Sequence, residues 1–294
     1  MEKLLENSNK VIVIDNLITG NKKNIDQFMD NANFEFIEHD IQERIYIKEK
    51  LDYIVHLASC ASPKAYSQYP INTLKSGSIG TINALGIAKK HNAKFFLAST
   101  SEVYGDPRVS PQDENYWGNV NTLGPRSMYD ESKRFAESAT KAYMTTHGIQ
   151  ANIARIFNTY GPNMQIDDGR VVTNFIYQAI NNEDITIYGT GNQTRSFSFI
   201  EDTLDGLLKV MNYKNSDVFN IGSENEITVK HLAKTIISLT NSNSKIAYKE
   251  IPKDDPKQRK PDLTKAKEQL NYAPRYSLEE GLKITIDWIT KTYK

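Results

Sequence analysis

The first half of the chain alternates short apolar runs with longer segments of helical periodicity, and this alternation limits the folds it can adopt. The short runs are rich in β-branched and aromatic residues, which favours strands, and they lie at 11–14, 53–58, 94–99 and 151–157. The segments 72–91 and 127–147 are long enough for helices. This order predicts an α/β fold with a doubly wound, parallel, Rossmann-type sheet. Ligands of such a sheet bind at the carboxyl ends of its strands.

Composition narrows the classes of function. Over 294 residues, 36 Lys and Arg balance 36 Asp and Glu, so no strong field favours nucleic acid or an anionic membrane surface. No apolar run approaches the roughly 20 residues of a membrane span, and the start lacks the pattern of a signal peptide. The single cysteine, Cys60, fits a reducing compartment, and the five histidines show no metal-ligand spacing. We therefore expect a cytoplasmic protein without a metal, a membrane partner or a nucleic-acid partner.

After Gly161 the predicted helices are separated by longer polar loops than in the first half of the chain. These loops lie at 163–170, 188–195 and 253–262. We predict a dinucleotide-binding domain over 1–161 and a smaller substrate-binding lobe over 162–294. Residues 202–222, which contain a predicted helix and a predicted strand, would return to the first domain.

The most informative motif pairs Tyr129 with Lys133. Four residues is about one helical turn, so the two side chains share a face of the predicted helix. An ammonium near a phenol favours the phenolate, and such a pair can act as a base. Thr100, Ser101 and Glu102 follow the third strand and add two hydroxyls and a carboxylate. These groups suit removal of a proton while a hydride departs. Taken singly, each has a plainer interpretation, as a chance spacing or a polar turn.

Other strand ends carry candidate cofactor contacts. Asp15 ends the first predicted strand, where an acidic side chain can bind the adenosine ribose of a dinucleotide. An Asp in a strand-ending turn is an equally good interpretation, and the same alternative holds for Asp40. The strand end at Leu57 and Ser59 suits close approach of a cofactor, although a buried strand end explains it as well.

Arg195 and Arg259 lie in loops shaped by Gly and Pro residues. Guanidinium groups in such loops suit recognition of phosphate or carboxylate. A solvated loop charge is the alternative for either residue alone.

As a set, these segments resemble the extended short-chain dehydrogenase/reductase superfamily, and within it they are most similar to the UDP-glucuronate decarboxylases. The resemblance extends over nearly the whole chain, at 15–20, 56–63, 99–107, 129–133, 154–162, 168–172 and 259–262. Related 4,6-dehydratases usually carry Asp at the position of Ser101, and 4-epimerases usually lack a Glu at position 102. Ser101 and Glu102, together with Arg195, follow the decarboxylase pattern.

The resemblance implies NAD as cofactor, a UDP-sugar as substrate and a homodimer formed through a helix bundle. Catalytic roles would fall on Thr100, Ser101, Glu102, Tyr129, Lys133 and Arg195. Cofactor contacts would come from Asp15, Asn16, Thr19, Gly20, Asp40, Ile41, Leu57, Ser59, Ser76, Tyr129, Lys133 and Thr159. Substrate contacts would come from Lys75, Asn83, Asn158, Arg170, Val172, Tyr188 and Arg259. Tyr129 would take the C4 hydroxyl proton, and Glu102 and Ser101 would position the sugar carboxylate and assist reprotonation at C5.

The resemblance also implies a glycine-rich loop roughly 20 residues before Asp15, for which the sequence has no room. We expect the first strand and that loop, about 20–25 residues of a βαβ unit, to be missing, which leaves activity open. The alternatives are a nucleotide-sugar 4,6-dehydratase or 4-epimerase, or a non-catalytic homologue that pairs with an intact subunit.

Overall fold

Four parallel strands form the main sheet of the computed structural model, which describes residues 1–251 and 258–293. Their order across the sheet is β10, β5, β4 and β3. The bounds are Tyr53–His56 for β3, Lys94–Thr100 for β4, Ala151–Ile156 for β5 and Val218–Ile221 for β10. A separate parallel pair joins β1, Val11–Asp15, to β2, Phe34–Glu38. The predicted α/β fold with parallel strands is confirmed, and the expected lack of the first strand stays a prediction that these pairings do not test.

Side chains alternate across β4, and this alternation explains why helices cover both faces of the sheet. Phe95 and Leu97 pack on one face in an apolar cluster with residues of the helices that follow β3 and precede β5. Phe96 and Ala98 pack on the other face with Phe219 and residues from the end of the chain. The sheet is therefore buried on both sides.

The helices are α1 (Glu2–Glu6), α2 (Lys23–Asp26), α3 (Pro63–Gln68), α4 (Pro70–Lys75), α5 (Thr81–His91), α6 (Ser127–His147), α7 (Val171–Ile180), α8 (Ile200–Met211), α9 (Val229–Thr240), α10 (Thr264–Leu270) and α11 (Leu278–Tyr293). A 3₁₀ turn spans Ser101–Tyr104, and a π turn spans Ser76–Gly80. No helix within the described residues combines the length and the apolar character needed to cross a membrane.

The π turn corrects the prediction of one unbroken helix over 72–91. His56 Nε2 lies 3.0 Å from the Thr81 hydroxyl, which donates to the Gly77 carbonyl at 2.8 Å. Gly77 packs so closely on α6 that a Cβ there would lie 2.5 Å from the Cβ of Ser132. These tertiary contacts, which local propensity does not contain, bring the π turn against the helix that carries Tyr129.

The second lobe is built on small sheets around its own apolar core. Its strands are β6 (Thr159–Tyr160), β7 (Ile185–Tyr188), β8 (Thr194–Ser196), β9 (Ser198–Phe199), β11 (Glu226–Thr228), β12 (Ile246–Lys249) and β13 (Gln258–Arg259). Helices α7, α9 and α11 supply core residues such as Phe175, Leu232 and Leu282. The boundary at residue 161 stays a prediction. Both β10 and α10 pack in the first domain, since β10 pairs with β5 and Leu270 contacts the Phe219 cluster.

A buried ion pair lies beneath the carboxyl ends of β4 and β5. Arg155 of β5 donates to both carboxylate oxygens of Glu137 on α6, at 3.0 and 2.7 Å. The Ser99 hydroxyl donates to the same carboxylate at 2.5 Å, and Arg155 also donates to the Tyr104 hydroxyl at 2.9 Å. Tyr104 in turn donates to Asn220 of β10 at 2.8 Å. This network fixes α6 against three adjacent strands.

We expect Glu137→Ala to lower the free energy of unfolding by about 3–5 kcal/mol, because it leaves the buried Arg155 guanidinium without its counter-charge. Urea unfolding followed by circular dichroism measures the change. Glu131→Ala, at a partly exposed position of the same helix, is the control and should cost about 0–1 kcal/mol. Equal losses in the two variants would contradict a stabilising role for the Arg155–Glu137 pair.

Candidate active site

Thr100, Tyr129 and Lys133 meet where β4 ends beside the first turns of α6. All three side chains are buried, and the Thr100 hydroxyl hydrogen-bonds the Tyr129 phenol. The Lys133 ammonium donates to the Ala98 carbonyl at 2.9 Å and lies 6.0 Å from the centre of the Tyr129 ring. Tyr66 stacks on that ring with 5.4 Å between centroids. The structure thus brings together the three groups that the sequence predicts for proton transfer at an alcohol.

Burial has the largest effect on the protonation of this group. Burial raises the pKa of Tyr129 to about 12, although the hydrogen bond from Thr100 works in the opposite direction. Burial lowers the pKa of Lys133 to about 8, against the charge of Glu137. Burial thus outweighs the groups that favour the phenolate in this state, and the lowering of the Tyr129 pKa by Lys133 stays a prediction. The ammonium is directed to the Ala98 carbonyl, and the phenol is enclosed beside Tyr66.

Glu102 is held between two arginines. Arg126 pairs with its Oε2 and Arg259 with its Oε1, and Arg259 also donates to the Gly105 carbonyl at 2.7 Å. Burial alone would raise the pKa of Glu102, but the charges of Arg259 and Arg126 outweigh burial and hold it below its ordinary value. Glu102 is therefore a carboxylate with both oxygens engaged.

Arg195 approaches the same cluster from the second lobe. Strand β13 pairs with β8 in a register that places Arg259 beside Arg195, and the Arg195 charge also favours ionised Glu102. Arg126, which precedes α6, is the member of this cluster that the sequence does not predict. Its signal is slight, because one Arg after Gly124 and Pro125 looks like an ordinary loop charge.

The residues predicted to bind adenosine lie in the loops after β1 and β2. Asp15 accepts from the Leu17 amide at 2.7 Å, and Asn16 donates to Asp40 at 3.0 Å. Gly20 folds back over Asp15, since a Cβ on Gly20 would lie 3.4 Å from its Oδ1. The Thr19 carbonyl accepts from Gln165 of the second lobe at 2.7 Å. These contacts hold the Asp15 carboxylate at the edge where a ribose could bind.

The Ser59 side chain suits a ligand contact. Its hydroxyl is buried and has no hydrogen-bond partner among residues 1–251 and 258–293. Leu57, two residues earlier, is 58% exposed although it is apolar. An unpaired hydroxyl beside an exposed apolar side chain, both just after β3, fits a cofactor with polar and apolar parts.

Three other predicted cofactor residues have protein partners or are buried. Ile41 packs against the position of Gly80, Ser76 is buried in the π turn, and Thr159 donates to the Phe157 carbonyl at 3.1 Å. Their roles stay predictions.

The residues predicted to bind substrate differ in their surroundings, and two of them have side chains engaged by the protein. Asn83 donates to the carbonyls of Ile41, Gln42 and Glu43 at 2.9–3.2 Å, so its amide secures a loop. The Val172 side chain belongs to the core of the second lobe, which leaves only its main chain for a ligand. Both side chains have structural contacts, and substrate binding at these two positions stays a prediction.

Arg170 pairs with Asp168 at 2.7 Å, and its charge reaches Tyr129. Lys75 and Tyr188 are exposed, and the Asn158 carbonyl accepts from the Ser198 amide at 2.9 Å. Part of the predicted loop at 253–262, residues 253–257, lies outside the described residues, whereas Arg259 is buried against Glu102. Substrate binding by these residues stays a prediction.

Comparison with known proteins defines the family. The pattern of the family described as GDP-mannose 4,6 dehydratase matches residues 1–285. The chain belongs to this family. The predicted place among the extended short-chain dehydrogenases/reductases is thereby confirmed.

Relatives of this family member include decarboxylases. UDP-glucuronic acid decarboxylase 5 of Arabidopsis thaliana is 50% identical over 285 residues, which are 97% of this chain and 83% of that protein. UDP-glucuronic acid decarboxylase 1 of Xenopus tropicalis is 48% identical over 290 residues, 99% of this chain and 68% of that protein.

Solved structures of the same fold include epimerases. UDP-glucose 4-epimerase of Thermotoga maritima, solved with UDP-glucose, has a TM-score of 0.92 at 30% identity and covers 100% of this chain and 94% of its own. UDP-glucuronic acid 4-epimerase of Bacillus cereus, solved with UDP-glucuronic acid and NAD, has a TM-score of 0.89 at 26% identity, over 99% and 95% of the two chains.

The lowered pKa of Lys133 predicts how the stability of this protein depends on pH. Its folded-state pKa of about 8 lies below the ordinary value of 10.5, so the unfolded chain binds the proton more tightly between these values. Stability should therefore rise with pH, by about 2 kcal/mol between pH 7.5 and 9.5 relative to Lys133→Met. Urea unfolding of both proteins over this range measures the difference. The same pH dependence in both would show that Lys133 is not the group responsible.

Proposed function

We propose that this chain is an NAD-dependent UDP-glucuronate decarboxylase, which converts UDP-glucuronate into UDP-xylose and CO₂. The observation that carries the proposal is the buried group of Thr100, Tyr129 and Lys133 beside the arginine-held Glu102. Identities of 48–50% to UDP-glucuronic acid decarboxylases over almost the whole chain support this substrate and this reaction.

In the proposed reaction, Tyr129 accepts the proton of the C4 hydroxyl, while Thr100 aligns that hydroxyl and Lys133 favours the phenolate. When bound, NAD supplies the reversible oxidation of C4. We assign Asp15 to the adenosine ribose and Ser59 and Lys133 to the rest of the cofactor, because their polar groups lie at the carboxyl ends of the strands.

Oxidation at C4 turns the C5 carboxylate into a β-keto acid, which loses CO₂ because the ketone accepts the electron pair as an enolate. We assign Arg195 to the departing carboxylate, with Ser101 beside it and Glu102 fixing the arginines. Asn158, Arg170, Tyr188, Arg259 and the main chain at Val172 are proposed to hold the UDP portion. Because both of its oxygens pair with arginines, Glu102 stays ionised during these reaction steps and has no proton to donate.

A nucleotide-sugar 4-epimerase is the second candidate, favoured by the TM-score of 0.92 to UDP-glucose 4-epimerase. An epimerase would use the same Tyr129 and Lys133 for oxidation at C4. It would conserve the carboxylate, so CO₂ release separates the two candidates.

Incubation of the protein with UDP-glucuronate and NAD⁺ should release one CO₂ for each UDP-xylose formed, measured by trapping of ¹⁴CO₂ and by NMR of the product. Tyr129→Phe removes the base and should reduce turnover by at least about 10²-fold, while calorimetry shows UDP-sugar binding largely unchanged. Formation of UDP-galacturonate without CO₂ would favour the epimerase. Unimpaired turnover of the Phe variant would contradict the role of Tyr129.

We also propose a homodimer in the cytoplasm. Exposed Ile71, Leu74, Ile79 and Ile82 lie along the helical stretch 70–91, at intervals of three, five and three residues. The interval of five spans the π turn, whose wider turn keeps the stripe on one side. Phe135 on the adjacent α6 is also exposed, and such an apolar patch suits a second copy of the same surface. Support for the cytoplasm is the single, buried, free Cys60.

Light scattering after size exclusion should give twice the chain mass of 33.4 kDa for the wild-type protein. The double variant Leu74→Glu with Ile82→Glu should give the monomer mass, because charges would enter an apolar interface. Leu123→Glu changes a 95% exposed side chain on a loop outside this stripe and should leave the mass unchanged. A monomeric wild-type protein would contradict the dimer.

A further inference from the structure

Asp130 is a buried carboxyl group that the proposed roles leave unused. It follows Tyr129 on α6 and is 7% exposed. Its Oδ1 has no hydrogen-bond partner among the described residues. It lines a cavity of about 230 Å³ together with Glu102 and Arg126. The exposed Asp106 and Asn121 form part of the same lining, so the cavity reaches solvent.

Charges from several elements act on this carboxyl. They come from Glu102 after β4, Arg126 before α6, Glu131 on α6 itself and Arg259 on β13. Asp106 is a further carboxyl group on the cavity wall. Burial first, and then the charge of Glu102, raise the pKa of Asp130 to about 7, although Arg126 and Arg259 oppose them. Because the two arginines pair with Glu102, the cluster keeps its proton on Asp130.

The chemistry of the proposed function needs such a proton. The Tyr129 phenolate accepts the proton of the C4 hydroxyl, and the resulting phenol returns that proton to the same oxygen when the C4 ketone is reduced again. Loss of CO₂ leaves the C5–C6 bonding pair in an enolate, and C5 then needs one new proton from elsewhere. The net reaction, UDP-glucuronate with one proton giving UDP-xylose and CO₂, therefore takes up one proton in each turnover.

We propose that Asp130 supplies the proton that enters at C5, through water in the cavity that it shares with Glu102 and Arg126. This proposal rests on the proposed decarboxylase function and adds the source of its proton. A polar cavity of this volume has room for several waters. After Asp130 gives up its proton, two carboxylates face each other, and that repulsion favours its reloading from solvent.

Asp130→Asn tests the proposal, because it keeps the size and polarity of the side chain and removes the proton that can be donated. Glu131→Gln is the matched control, since it makes the same charge change one residue along α6, at a side chain 36% exposed. For the wild type we expect kcat for CO₂ release to fall as pH rises through about 7, because Asp130 then loses its proton. Asp130→Asn should lower kcat at pH 6.5 at least about tenfold and lose this pH dependence. The Gln control should keep a pH-dependent kcat, with its midpoint slightly lower because the Glu131 charge no longer raises the pKa of Asp130.

Two further readouts separate proton supply from a structural effect. In D₂O the wild type should place deuterium at one of the two C5 positions of UDP-xylose. In Asp130→Asn, deuterium should enter at both C5 positions, or more of the intermediate should leave the enzyme as UDP-4-ketopentose. Wild-type kcat and stereochemistry in Asp130→Asn would overturn the proposal.

A ¹³C NMR titration of the wild-type carboxyl needs no variant, and an Asp130 pKa below 5 would also overturn it. A wild-type protein that consumes UDP-glucuronate without CO₂ would instead overturn the proposed function.

Discussion

The bidentate pair of Arg155 and Glu137 is the interaction on which the site depends. It joins β5 to α6 below the sheet edge, and Ser99 and Tyr104 connect it to β4 and the turn that follows. Burial of two charges is costly, and the double hydrogen bond together with the hydroxyl partners offsets that cost. Because α6 also carries Tyr129, Asp130 and Lys133, the geometry of the chemical groups follows from this one attachment.

A second charge arrangement lies just beyond the carboxyl end of β4. Arg126 precedes α6 and Arg259 belongs to β13, so their shared pairing with Glu102 links the helix, the strand end and the second lobe. The pairing also divides the protons between two nearby carboxyl groups, since Glu102 stays ionised and Asp130 has a raised pKa. Carboxyl groups in unequal surroundings take unequal roles, one as a fixed charge and the other as a store of protons.

The sequence predicts the parts of this structure that local patterns determine. Helix α6 lies at its predicted bounds, and the parallel strands lie within a few residues of theirs, because apolar periodicity and strand–helix alternation are local signals. The π turn at Ser76–Gly80 is not predicted, since it depends on Gly77 meeting Ser132 and on His56 reaching Thr81. Such contacts join segments far apart in the chain.

The residues of the site likewise fall into those that a local pattern reveals and those that only the fold reveals. Tyr129 and Lys133 can be recognised from their spacing, whereas Arg126 and Asp130 look like ordinary polar residues at the start of a helix until the fold places Glu102 beside them. The neighbouring motif residue Glu102 is found from sequence, but its protonation is not, because its pKa depends on two arginines contributed by distant segments. A residue type can suggest an acid, yet only its neighbours decide whether it holds a proton. For a reaction that consumes one proton in each turnover, the group that can hold one is as important as the base that starts it.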